Sequence, residues 1–287
     1  MYSIVVLLIL FRLMVITKGL LFRNNYIILA TNHSRREYIK RWQFRMLSSV
    51  TDESESIVVY NANIVKGKIR GACLTSGKDS NNIRLVAVSK TKPVEAIRAL
   101  YDSGHRDFGE NYFQELVDKA AQLPEDIRWH FIGHLQSSKA SKLVRDVKNL
   151  AALETIDSEK LASKLENACV ASERPTLDVF IQVDTSGEET KSGVLESELL
   201  PLAKFIREQC PHLRIKGLMT IGAPGDFSCF DRLVRCRQVL CGELSCAEET
   251  MELSMGMSGD YEEAIKRGAT SVRVGSTIFG ERIYPSK

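Results

Sequence analysis

The chain has 287 residues, 44% of them hydrophobic and 26% charged. That composition excludes a collagen, a disulfide scaffold and a low-complexity chain, and it can close one large core or two small ones. The net charge of +3 is unevenly held: residues 1–50 carry eight Lys and Arg against Glu37 alone, and the remainder carries 31 basic against 35 acidic groups. A nucleic-acid-binding body would show a basic surplus, so that class of partner is not expected.

Residues 1–53 read as a basic and apolar leader, either a disordered or misassigned extension or a targeting segment. Its uninterrupted apolar run, Tyr2–Phe11, is ten residues long, and a membrane-spanning helix needs roughly 20. A secretory signal would place positive charge ahead of the apolar run and small residues after it, and neither is clear. Residues 23–50 are instead rich in Arg and poor in acids, which is transit-peptide chemistry. The cytoplasm is the default localisation, and a mitochondrion or plastid reached through the leader is the alternative. Membrane attachment is not expected.

From residue 54 onward, short apolar runs alternate with amphipathic stretches, the pattern of a parallel sheet with helices crossing between strands. A helix is predicted from Ile57 to Thr75, weakened by Gly67 and Gly71 at roughly 1 kcal/mol each relative to Ala. Eight strands follow: Leu85–Ser89, Arg106–Gly109, Trp129–Ile132, Leu150–Glu154, Asp178–Val183, Arg214–Thr220, Met251–Ser254 and Ser271–Gly275. Helices are predicted between them at Pro93–Ser103, Tyr112–Ala121, Ser158–Ala171, Glu196–Gln209 and Tyr261–Arg267, with Ser158 as a cap and Gly104 and Gly268 just past helix ends. The residues around Cys236 read as one face of a further helix. Eight such units suit a single α/β domain, a (β/α)8 barrel over residues 54–287. A doubly wound open sheet is the alternative, but the turn after its first strand would be Gly-rich and here it reads Ser-Lys-Thr-Lys-Pro.

Seven cysteines are an odd number with no C-x-x-C pair. The last four are spaced 7, 5 and 5 and have no histidine beyond His212. No zinc pattern fits, a metal site is not expected, and reduced structural thiols in an intracellular compartment are the reading.

In a barrel, function lies at the C-terminal ends of the strands. Lys90 is the first charge on its side of strand one. Partial desolvation there favours the neutral amine that attacks an aldehyde, although a lysine at a strand end can also simply snorkel to water. On strand eight, Arg273 sits between valines, and no acid stands beside it in sequence. Gly275, Ser276 and Thr277 then offer backbone N–H groups and hydroxyls at the start of a helix, chemistry suited to a phosphate. A second Gly- and Ser-rich turn, Ser254–Asp260, contains Ser258 and Gly259; Ser258 can equally cap the helix that follows, with Asp260 in its first turn. Two such turns after strands seven and eight match the phosphate site of barrel enzymes. Asn111, His134 and Asp184 are polar residues at other strand ends that either contact a ligand or cap helices.

The stretches VAVSKTKP (86–93), FGENY (108–112), WHFIGHLQ (129–136), KGLMTIG (216–222), ELSMGMSGDYEEAI (252–265) and VRVGSTIFGER (272–282) resemble, in order and over more than 200 residues, the family of pyridoxal phosphate homeostasis proteins, or proline synthase co-transcribed homologues. The resemblance implies a barrel like the alanine racemase N-terminal domain, the third fold type of pyridoxal-phosphate proteins. It implies pyridoxal 5'-phosphate held on Lys90 as an internal aldimine, with Ser258, Gly259, Gly275 and Ser276 around the phosphate. Arg273 would face the pyridine nitrogen, and Asn111 and His134 stand in family motifs. Racemases of this fold draw a second acid/base residue from a C-terminal β-domain, and only twelve residues follow Gly275 here. The expectation is therefore a non-catalytic intracellular carrier that buffers the cofactor and releases it to apoenzymes. The alternatives are an amino-acid racemase or related enzyme, and an interaction protein that merely keeps the barrel.

Overall fold

Eight parallel strands close into one barrel in the computed structural model, each hydrogen-bonded to its neighbours and the last to the first. Residues 57–187 and 192–281 are described, together with the backbone of residues 20–23 and 26–29. The chain divides into two units, Met1–Ser54 and Glu55–Lys287. In the first, Leu20–Arg23 pairs antiparallel with Tyr26–Leu29; the remainder of the leader reading lies outside the described residues, as does the end of the last family motif at Arg282.

The barrel strands are β1 Arg84–Val88, β2 Asp107–Glu110, β3 Arg128–Phe131, β4 Leu150–Ile156, β5 Leu177–Gln182, β6 Leu213–Met219, β7 Glu252–Ser254 and β8 Ser271–Val274. All eight predicted strands are present, shifted by a residue or two at their ends. Closure of β8 onto β1 excludes the doubly wound open sheet.

A helix over residues 57–75, α1, precedes the barrel despite Gly67 and Gly71. Its inner face buries Val58, Ala62, Val65, Ile69, Ala72 and Cys73, and tertiary packing of that face outweighs the weak local propensity. The helices that follow strands β1 to β8 are α2 Val94–Asp102, α3 Phe113–Ala120, α4 Ala140–Asp146, α5 Glu159–Ala171, α6 Glu196–Gln209, α7 Ser228–Leu244, α8 Tyr261–Arg267 and α9 Ser276–Phe279. The Ser158 hydroxyl caps α5 by accepting from the Leu161 N–H. Gly104 and Gly268 take positive φ just past α2 and α8.

Strand side chains alternate between two environments. Those facing the helices, such as Leu85, Ala87, Phe108, Trp129, Phe131, Leu153, Ile181, Leu218, Leu253, Val272 and Val274, belong to one large apolar core. Those facing the barrel axis mix a few apolar side chains with polar and charged ones. Ala152, Phe180 and Met219 form a separate inner cluster, and His130, Glu154, Gln182, Ser254 and Arg273 are buried with them. All seven cysteines are free thiols, and all but Cys246 are buried; burial pushes the Cys169, Cys210 and Cys236 thiols up to about 11.

Candidate functional site

A cleft of about 340 Å³ opens at the C-terminal mouth of the barrel, lined in part by Lys90, Lys92, Asn111, Arg273 and four residues of the two Gly- and Ser-rich turns: Ser258, Gly259, Gly275 and Ser276. Val88, Ile132, Met219, Ile221 and Met257 supply its apolar surface. Strand parity delivers the two cations. Lys90 continues the inward face of Val86 and Val88, and Arg273 points to the axis from β8, whose Val272 and Val274 face the outer core.

The two turns are joined to each other. The Ser258 hydroxyl accepts from the Gly275 N–H at 3.1 Å, so it does not serve as the cap that its position before α8 allows. Asp260 takes the N-cap position of α8, and its carboxylate accepts from the Met257 N–H at 2.6 Å. Gly256, at φ +91°, makes the bend that brings this turn back over α8; a Cβ there would lie 2.5 Å from the Ala264 Cβ. The Gly275 backbone packs on β1, and a Cβ added there would meet the Val88 carbonyl oxygen at 3.2 Å.

Arg273 is 3% exposed. Its Nη1 donates to the Ser254 hydroxyl at 2.6 Å and its Nη2 to the Thr220 carbonyl at 2.8 Å. Ser254 passes the interaction to a carboxylate, donating to Glu154 Oε2 at 2.5 Å. The other oxygen of Glu154 lies 2.7 Å from His130 Nδ1, and His130 Nε2 lies 3.3 Å from Asp107 Oδ1. Arg128 closes the chain on Asp107. A line of alternating charges thus runs through the barrel, from the cleft to the opposite rim. It supplies the acceptor that Arg273 requires and that its sequence neighbours lack.

Burial sets the pKa directions along this line, and the partners oppose it. Burial pulls the Arg273 guanidinium down against the charge of Glu154, and the net shift is downward. For Glu154, burial raises the carboxyl, but the bond to His130, the charges of His130 and Arg273 and the Ser254 hydroxyl bring it below the usual range. For His130, burial favours the neutral ring, but Asp107 and Glu154 outweigh it and the imidazole is raised.

Asn111 lines the cleft with its side-chain oxygen buried and without a protein hydrogen-bond partner. The segment just past β3 approaches it so closely that a Cβ at Gly133 would collide with the Asn111 carbonyl oxygen. His134 is placed elsewhere. Its side chain is 59% exposed and its Nδ1 lies 3.3 Å from Asp157, outside the residues that line the cleft. The bond to Asp157, at the end of the neighbouring strand, draws it away. Asp184 caps its own turn, accepting from the Ser186 and Gly187 N–H groups.

A barrel whose lysine, arginine and two Gly-Ser turns converge at one mouth defines a class, that of the alanine racemase N-terminal domain, and the family model of that description matches residues 75–283. Alanine racemase from Corynebacterium glutamicum shares this fold with a TM-score of 0.57, at 17% identity over 81% of this chain and 64% of that one. Within the class, this chain is 50% identical to the pyridoxal phosphate homeostasis protein of Mus musculus over 71% of its own length and 78% of the mouse protein. The solved structure of PipY from Synechococcus elongatus with pyridoxal phosphate bound superimposes with a TM-score of 0.63, at 30% identity over 75% of this chain and all of that one. The chain belongs to the family of pyridoxal phosphate homeostasis proteins.

Proposed function

We propose that this protein binds pyridoxal 5'-phosphate in the cleft and serves in intracellular cofactor homeostasis as a carrier, with no turnover of its own. The observation that carries the reading is the convergence of Lys90, Arg273, Ser258, Gly259, Gly275 and Ser276 on one cleft, in a chain related to proteins of that name and to a structure that holds the cofactor. The residues fit the group. The joined turns present backbone N–H groups and hydroxyls to a phosphate, and the orphaned Asn111 oxygen marks a polar position that the chain alone leaves unsatisfied.

Lys90 is the residue that would hold the aldehyde end of the cofactor, and the two turns would hold its phosphate. Arg273 would face the pyridine nitrogen, its guanidinium held in place by Ser254 and Thr220. Bound there, the cofactor would supply an electron-withdrawing ring. Arg273 weakens that capacity, because a cation opposite the ring nitrogen disfavours its protonation. That chemistry suits storage and release to apoenzymes better than carbanion formation. The cytoplasm is the proposed setting, with an organelle reached through a leader at residues 1–53 as the alternative; the buried reduced thiols support an intracellular compartment.

Borohydride reduction of the loaded protein followed by peptide mapping tests the site. The pyridoxyl group is expected on Lys90; its appearance on Lys92 alone, or on neither, overturns the assignment. Incubation with single-enantiomer amino acids should give no turnover, and transfer to an apoenzyme should be measurable. Sustained racemisation would replace the carrier with an enzyme.

A further inference from the structure

Two lysines line the cleft, Lys90 and Lys92. Both are two-residue steps along the same segment, so strand parity alone does not choose between them. The backbone on either side of Lys90 is gripped from behind the cleft by three residues of β2 and α3. Lys119 Nζ donates to the Ser89 carbonyl at 2.7 Å, to Glu110 Oε1 at 2.7 Å and to Glu115 Oε1 at 2.6 Å. The Ser89 hydroxyl donates to Glu110 Oε1 at 2.6 Å, and the Thr91 N–H donates to Glu115 Oε1 at 2.6 Å.

This cluster is largely buried, and its bonds to Glu110 all fall on Oε1, leaving Oε2 buried without a partner. The side chain of Lys119 is 6% exposed and that of Glu110 is not exposed at all, and none of the three residues lines the cleft. Between its two attachment points the chain turns sharply: Thr91 has φ +61°, a left-handed conformation that a β-branched residue rarely takes. Glu115 holds the Thr91 amide in that conformation. On the far side of the turn, Lys92 Nζ reaches the Glu281 carbonyl at 2.7 Å.

We propose that Lys119, with Glu110 and Glu115, is a positioning device that selects Lys90 over Lys92 as the amine that captures the aldehyde. The device fixes Ser89 and Thr91, and with them the direction in which Lys90 leaves the strand end. A loosened turn would let the two lysines compete for one carbonyl carbon. The inference rests on the reading of the cleft as a pyridoxal-phosphate site.

The test uses the full chain loaded with pyridoxal phosphate, reduced with borohydride, and the ratio of label on Lys90 to label on Lys92. Label on Lys90 in the wild type establishes the underlying reading; its absence there overturns that reading and this one together. With the wild type labelled at Lys90, Lys119→Met is expected to shift the ratio roughly tenfold or more toward Lys92, since misplacement of about 1 Å can cost as much as a hundredfold. Lys119→Arg is expected to restore the ratio. A merely structural ion pair would lower the melting temperature of Lys119→Met and leave the ratio of the folded protein unchanged, and that result overturns the selection while sparing the site. Should Lys119→Met fail to fold, Glu115→Ala decides: that side chain is 22% exposed, its loss releases only the Thr91 amide and one bond of Lys119, and an unchanged ratio there overturns the proposal.

Discussion

Leu153 and Glu154 are neighbours on β4 and face opposite sides of the barrel wall. Leu153 lies in the outer apolar core with Trp129, Phe131 and Leu253, and Glu154 lies at the axis between His130 and Ser254. The outer layer is stabilised by burial of large apolar side chains, and its energy is spread over many contacts. The inner layer spends its positions on a few charges that must all be satisfied, because each is desolvated and none can be repaired by water. The fold and the site are thereby separated: one face of each strand holds the barrel together, and the other aims the groups at its mouth.

The comparison breaks most visibly if both faces are cut. Glu154→Leu leaves Arg273 and His130 without their shared carboxylate, and removal of one partner from a buried charged pair costs about 3–5 kcal/mol. Because Ser254 then loses the acceptor that orients it toward Arg273, cofactor loading should fall with stability. Leu153→Ala costs a similar ~2–5 kcal/mol through lost transfer energy and a cavity, but loading measured well below its melting temperature should match the wild type. Urea unfolding paired with absorbance titration of pyridoxal phosphate checks both. If Leu153→Ala weakens loading as much as Glu154→Leu does, the two faces are not separable.

Two buried histidines sharpen the same contrast through their opposite responses to pH. His130, at the axis, is raised despite burial because two carboxylates hold its charge. Its stabilisation is fully present below the unfolded value near 6.5 and is lost as pH rises through its higher folded value. His105 packs edge-on against Phe108, with ring centroids 5.1 Å apart, and burial outweighs its bond to the Asp107 carbonyl and lowers it to about 4. Protonation of the unfolded chain therefore withdraws stability as pH falls from about 6.5 toward 4, by an amount on the order of 3 kcal/mol. His105→Gln should flatten that acid limb in a series of urea unfolding curves. An unchanged limb would show that the loss belongs to the carboxylates instead.

The outer layer is also the part that the sequence makes legible. Each strand shows as a short run of apolar residues, and every predicted strand lies within a residue or two of its place because its outward face is mostly apolar. The helix Ala140–Asp146 escapes sequence reading because, unlike α8 of the same length, it has no glycine to mark its end: Val147 follows it where Gly268 follows α8. At the site, Lys90, Arg273 and the two Gly-Ser turns are legible because strand ends concentrate chemistry in a barrel. Their supports are not. Glu154 is 100 residues from Ser254, and Thr220 is 53 from Arg273, distances at which no local pattern operates. Lys119 reads as one more charge on an amphipathic helix, and only the folded chain shows it buried against Ser89. His134 misleads for the converse reason: its motif stands at a strand end, but a carboxylate on the next strand turns the ring outward.

The smallest effect concerns Ser258, where sequence and structure offer different roles for one hydroxyl. As a helix cap it would stabilise α8, and its loss would cost about 1 kcal/mol of stability with no effect on the cleft. In the structure that position belongs to Asp260, and the Ser258 hydroxyl instead accepts from the Gly275 N–H, tying the turn after β7 to the turn after β8. Ser258→Ala should therefore leave the melting temperature nearly unchanged. It should raise the Kd for pyridoxal phosphate roughly five- to tenfold, the equivalent of one hydrogen bond. Asp260→Ala should instead lower stability as well as loading, since its carboxylate holds the Met257 N–H and with it the turn that carries Ser258. Titration and thermal unfolding of both variants separate the roles, since a stability loss confined to Ser258→Ala with unaltered Kd would return that hydroxyl to the helix and remove it from the site.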